Sequence, residues 1–226
     1  MKKIIDYIDT HTVLSSILLY FVGYLLIGSI LITLPPDKYQ VYVRLAISII
    51  LFFSMIRISK NEFNNVLEQI NDTLGKSALN ISLITILIFF INIILSYISI
   101  VVLKQSTYNN NVIMFLFSKH PYIIGIITIL LLPFVEELLF KSQIFKNTKF
   151  LAEHKIIKTI IVAMIFASFH SLSEIVSLNY RAIFTFINYM SFYIITNTLY
   201  IRSNYNIMKP IAVHMLVNAL SLIVGM

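Results

Sequence analysis

The sequence predicts an all-α, polytopic transmembrane helix bundle of about seven spans, and three observations carry that reading. Of 226 residues, 58% are hydrophobic and only 12% are charged, whereas soluble domains carry roughly a quarter charged residues. Mean hydropathy is +0.88. Apolar runs repeatedly reach the ~20 residues that a helix needs to cross the hydrocarbon core. With no Cys, five Gly and five Pro, the chain is neither a disulfide scaffold nor a collagen-like or disordered sequence, and it has no thiol nucleophile or iron–sulfur site. The net charge of +7 fits basic loops beside anionic lipid; no basic–aromatic soluble module accompanies it, so no nucleic-acid partner is expected. The partner that this composition implies is the lipid bilayer.

The elements follow in order. Val13–Leu34 is uncharged and stops at Pro35-Pro36. Its apolar run is too long for a signal-peptide core, and no small-residue cleavage site follows, so it reads as a permanent span. Tyr39–Ile58 is the second span, with Arg44 and Arg57 able to snorkel to opposite interfaces. In Lys60–Lys76, Phe63, Leu67 and Ile70 recur at helical spacing, which suits a short interfacial helix. Ala78–Leu103 is the third span. Lys104–Asn111 reads as a polar loop, and Val112–Phe117 as a short helix in the interface. Pro121 opens a fourth span, Tyr122–Phe140, which can continue past Lys141 and is expected to kink at Pro133. Ile156–Leu172, Ala182–Ile201 and Pro210–Val224 complete the set. Residues 1–121 thus form a motif-free N-terminal segment and residues 122–226 a domain that carries the chemistry.

Loop charges set an orientation. With seven spans, the N-terminus and the second, fourth and sixth loops share one side and hold 12 Lys and Arg; the other side holds Lys38, Arg44, Lys104, Lys119 and Arg181. Basic residues gather on the cytoplasmic side, which places the N-terminus in the cytoplasm of a multi-pass cell-membrane protein.

Ionisable groups within apolar helices are costly and are the informative residues of such a chain. The fourth span contains Leu132-Pro133-Phe134-Val135-Glu136-Glu137-Leu138-Leu139-Phe140-Lys141. Helix neighbours lie about 100° apart, so the two carboxylates cannot share surroundings. Glu137 stands four residues before Lys141, the favourable order for an ion pair. Glu136 is left facing the bundle interior, where a carboxylate can serve as a general base. The plainer reading of the pair is a charged helix end. The fifth span holds Phe166-Ala167-Ser168-Phe169-His170, and the seventh holds His214-Met215-Leu216-Val217-Asn218, with His214 and Asn218 on one face. A lone His reads as packing and a lone Asn as a helix–helix hydrogen bond. Together the three helices offer a carboxylate, two imidazoles and a carboxamide, which can activate a water and stabilise an oxyanion. His170 and His214 with Glu136 also match the two-His, one-carboxylate set of a catalytic metal such as zinc. The residue types allow either route. No His-Glu-x-x-His or Gly-x-Ser-x-Gly motif is present.

Glu-Glu-x-x-x-Lys, Phe-x-x-x-His and His-x-x-x-Asn, in that order on successive apolar helices, resemble the CPBP family of intramembrane metalloproteases, which comprises the CAAX prenyl endopeptidases and the bacteriocin-processing Abi group. The resemblance covers about Tyr122–Leu222. It implies that Glu136 activates the attacking water, Glu137 supports it, and His170 binds the same water or a metal. His214 and Asn218 would stabilise the oxyanion or complete a metal site, and Phe166 would pack behind it. One position departs: Lys141 stands where the family has Arg, which keeps the charge and loses the planar fork. Lys far exceeds Arg, and Ile and Asn are abundant, a bias compatible with a low-GC bacterium. The implied roles are then maturation of a secreted peptide or pheromone, or bacteriocin self-immunity. The alternatives are a non-catalytic membrane partner of the same fold, which the Lys141 departure favours, and a transporter or ion channel with a proton relay, which predicts repeats or broken helices in matching halves that the sequence lacks.

Overall fold

The computed structural model describes residues 11–75, 77–103, 108–149, 151–180 and 182–225. Lys2, Lys3, Lys76, Lys104 and Arg181, all part of the charge count above, lie outside them, as do residues 105–107 of the predicted polar loop. Among the described residues there are ten helices and no strand. In chain order they are α1 (Thr12–Thr33), α2 (Asp37–Ile58), α3 (Lys60–Leu74), α4 (Ala78–Leu103), α5 (Tyr108–Lys119), α6 (Pro121–Lys146), α7 (Lys155–His170), α8 (Leu172–Val176), α9 (Ala182–Arg202) and α10 (Met208–Val224).

Four of these, α1, α2, α4 and α6, are long and apolar enough to cross a membrane, and α10 is a shorter apolar helix. The remaining predicted spans, α7 and α9, are helices of the same bundle. Large apolar side chains such as Leu34, Phe53, Leu79 and Tyr97 point outward; an apolar outer surface is what hydrocarbon accepts and water does not. Hydroxyls within the helices bond back to the carbonyl one turn earlier, as Ser48 does to Arg44 and Thr196 to Phe192, so a lipid-facing helix leaves few polar groups unmet.

Helix α6 is the centre of the bundle. Of its apolar window 56% is buried, against 17–22% for the other three candidate spans. It packs on α1, α2, α7 and α10, and its Val135, Leu138, Leu139 and Phe140 form the middle of the main core. It begins with Pro121 at its first turn, where the missing N–H costs nothing. It then runs through Pro133 without interruption, with wide π-helical turns on either side, Ile126–Leu131 and Leu138–Lys146. The expected site of the proline kink is thus flanked by changes of helical pitch. In a π turn the carbonyl of residue i pairs with the N–H of residue i+5. For Thr128 that residue is Pro133, which has no N–H; the Asn218 side-chain amide donates to the Thr128 carbonyl at 2.8 Å instead.

Two expectations are refined at the periphery. Helix α3 turns Phe63 and Val66 inward, with Phe63 against Phe134, while Leu67 is exposed. Asn111, expected in the polar loop, belongs to α5, which extends the predicted Val112–Phe117 helix in both directions. At one end of the bundle the second, fourth and sixth turns meet: Gln143 donates to Ser59, Lys146 pairs with Glu62, and the Ile207 N–H donates to Gln69. These are the loops that the charge count groups together.

Candidate active site

The two adjacent glutamates of α6 face different partners, as the 100° step requires. Glu137 is 1% exposed and sits in a closed network. Its Oε2 pairs with Lys141 Nζ at 2.5 Å, one turn on along the same helix. Its Oε1 accepts from His214 Nδ1–H of α10 at 3.0 Å. Lys141 is wholly buried, and its ammonium also lies 4.5 Å from the Tyr193 ring centroid of α9. A snorkelling lysine would reach the surface; this one ends inside, held by a carboxylate and an aromatic face. The π-helical turns that begin at Leu138 carry Lys141, and the Tyr193 hydroxyl donates to the Phe140 carbonyl at 3.2 Å in the same stretch.

Glu136 looks the other way, into a cavity of about 730 Å³ that His170, His214, Asn218 and Phe192 also line. Cavities of ~300–1,000 Å³ are the usual size of ligand pockets. Glu136 Oε2 lies 3.7 Å from His170 Nε2 and 3.9 Å from His214 Nε2. The other oxygen, Oε1, accepts from the Tyr20 hydroxyl of α1 at 3.0 Å.

Both imidazoles are oriented from behind. His170 ends α7, and its Nδ1–H donates to the Phe166 carbonyl at 2.9 Å. Its ring is held between Phe166 (4.3 Å) and Tyr189 (4.2 Å), so Phe166 packs behind the site. His214 donates through Nδ1 to Glu137 and meets Phe192 edge-on at 4.6 Å. A carbonyl and a carboxylate can only accept, so each ring carries a proton on Nδ1, and in its neutral form it presents an Nε2 lone pair to Glu136. In that form two lone pairs and a carboxylate oxygen repel unless a hydrogen-bond donor or a cation lies between them. The separations suit one bridging group and exceed a direct hydrogen bond.

The donor chemistry of that gap fits a divalent cation as well as a water. Each ring has its other nitrogen tied to an acceptor, the usual support of a metal-bound histidine. Among the described residues, however, no group of three His, Asp or Glu side chains closes into a metal-holding cluster.

The structure therefore brings Glu136, His170, His214 and Asn218 to one cavity, with Glu137, Lys141 and Phe166 in the layer behind. Asn218 reaches it with one amide hydrogen already given to Thr128. Sequence reasoning missed Tyr20, and the only signal for it is a Tyr20–Tyr24 pair at i,i+4 within an apolar span, away from the interfaces where tyrosine usually sits. It also missed the direct Glu137–His214 bond, which joins two motifs that are 77 residues apart.

Comparison with known proteins gives one match: residues 118–220 fit the family model of the Rce1-like type II CAAX prenyl endopeptidases. No curated protein and no solved structure matches the chain. The matched residues span α6 to α10 and include every residue of the three motifs. Over residues 118–220, somewhat under half of the chain, the helix bundle is similar to the Rce1-like type II CAAX prenyl endopeptidases.

Proposed function

We propose that the protein is an intramembrane endopeptidase that hydrolyses a peptide bond of a peptide or membrane-protein substrate with a water activated by Glu136. The observation that carries this reading is the gap in front of Glu136 Oε2, faced by two Nε2 atoms at 3.7 and 3.9 Å within a cavity large enough for a polypeptide segment. A water in that gap can donate to Glu136 and to one imidazole, which aims its oxygen lone pair at a carbonyl in the cavity. As the oxygen attacks, Glu136 takes a proton and the carbonyl π pair moves onto its oxygen. The tetrahedral intermediate collapses when the C–N bond breaks and Glu136 returns the proton to the leaving nitrogen. The second N–H of the Asn218 amide supplies a donor for the oxyanion, and His214, held through Nδ1 by Glu137, accepts from the water through Nε2. A divalent cation such as zinc, when bound, would be held by His170 and His214 with Glu136, and would polarise the water and the carbonyl. The gathering of the second, fourth and sixth turns at one end supports the positive-inside reading, with a cytoplasmic N-terminus. Maturation of a bacterial secreted peptide or pheromone is the biological role that suits such an enzyme in a low-GC host.

The test is cleavage of internally quenched peptides, including a prenylated Cys-aliphatic-aliphatic-X peptide, by the full chain in detergent. Wild-type protein should cut at least one of them. Glu136→Gln, isosteric and unable to take a proton, should fall by about 10²–10⁴-fold or more with an unchanged melting temperature. A Glu136→Gln variant as active as wild type would end the proposal.

A further inference from the structure

We infer that Tyr20 is a positioning residue of this site, so that α1, outside the family-matched residues, completes the hydrolytic centre. The inference rests on Glu136 being the base. Tyr20 is 4% exposed and donates to Glu136 Oε1 at 3.0 Å across 116 residues of sequence. The terminal torsion of a glutamate is broad and nearly two-fold, so an untethered carboxylate samples many orientations. With Oε1 held by the phenol, Oε2 is the oxygen left facing His170 and His214. The bond therefore selects which oxygen takes the proton and where the water sits, the kind of alignment on which rates depend steeply.

Two further features support the assignment. The phenol is itself fixed, with Phe21, Tyr24 and Phe140 ring centroids 5.2, 5.8 and 6.2 Å from its own. Tyr20 also lies in a π-helical stretch, Leu18–Gly28, and Glu136-Glu137 lies between the two π-helical stretches of α6. The bond thus joins a π-helical turn of α1 to the short α-helical segment Leu132–Glu137 that two widened stretches of α6 flank, and such departures from α-helical pitch concentrate at functional sites. Packing alone explains the ring and leaves the hydroxyl's choice of partner unexplained.

The test uses the full chain in detergent and two readouts. In protein labelled with ¹³C at the glutamate carboxyl, infrared difference spectra against Glu136→Gln identify the Glu136 band. Tyr20→Phe should shift that band, and Tyr24→Phe, one turn along the same helix, should leave it in place. With the quenched peptides, Tyr20→Phe should lower kcat roughly ten-fold or more, with KM within about two-fold of wild type, as for loss of an interaction that matters in the transition state. An unmoved band, or wild-type kcat in Tyr20→Phe beside an inactive Glu136→Gln, would reduce Tyr20 to packing. Equal losses in Tyr20→Phe and Tyr24→Phe would do the same. A Glu136→Gln variant that still cleaves would instead remove the base itself, a distinct outcome.

Discussion

Lys141 is the residue at which sequence and structure speak most differently. By the resemblance of its motif it stands where the family has Arg, and the loss of a planar fork implies a less rigidly held Glu137. In the fold it is fully buried, pairs with Glu137 at 2.5 Å and lies 4.5 Å over the Tyr193 ring. The aromatic face takes the share of the cation that a second carboxylate bond would have taken. Lys141→Ala should cost about 3–5 kcal/mol, because it strands a buried carboxylate, and a thermal melt in detergent reads this directly. Lys141→Arg should stay within about 1 kcal/mol of wild type, since a guanidinium also pairs with a carboxylate and stacks on an aromatic face. A melting temperature unchanged in Lys141→Ala would show that the pair contributes nothing. Glu136, Glu137, His170 and His214 were readable because each is an expensive residue in an apolar helix. Tyr20 was not, because tyrosine in a membrane helix is ordinary and only its partner, 116 residues away, marks it out.

At the scale of the element, α6 shows how a proline is kept inside a buried helix. Pro133 removes the i+5 donor of Thr128, and Asn218 from α10 fills the place at 2.8 Å. Asn218→Ala should therefore cost about 1–3 kcal/mol through an unmet carbonyl. Pro133→Ala restores a backbone N–H at that register, so the same Asn218→Ala change should cost less in the Pro133→Ala background. A coupling of ~0.5 kcal/mol or more in a double-mutant cycle is expected; strict additivity would show that the two residues act independently. The helix and its proline were legible over Tyr122–Phe140, as was its ability to continue past Lys141; the structure carries it to Lys146. The π turns were not, because no residue pattern separates a 4.4-residue pitch from a 3.6-residue one over two turns, whereas backbone hydrogen bonding does.

Across the whole molecule, the bundle follows from composition alone, since 12% charge and long apolar runs leave little else that buries the backbone. Which turns meet at which end follows from contacts: Gln143 with Ser59, Lys146 with Glu62, Gln69 with Ile207. Because the chain has no Cys, single cysteines can map that polarity without a prior background change. In right-side-out vesicles Lys38→Cys should react with an impermeant maleimide, and Lys155→Cys should react only after permeabilisation; the reverse pattern would invert the orientation. The central claim is that Glu136 and the imidazoles act together on one water, and the peptide-cleavage rates of Glu136→Gln, His214→Ala and the double variant test it most directly. Groups that act as a unit are strongly non-additive. The double variant should therefore be no more than about ten-fold slower than Glu136→Gln alone. Losses that multiply, with each change costing its full factor in the presence of the other, would contradict a shared water between Glu136 and His214.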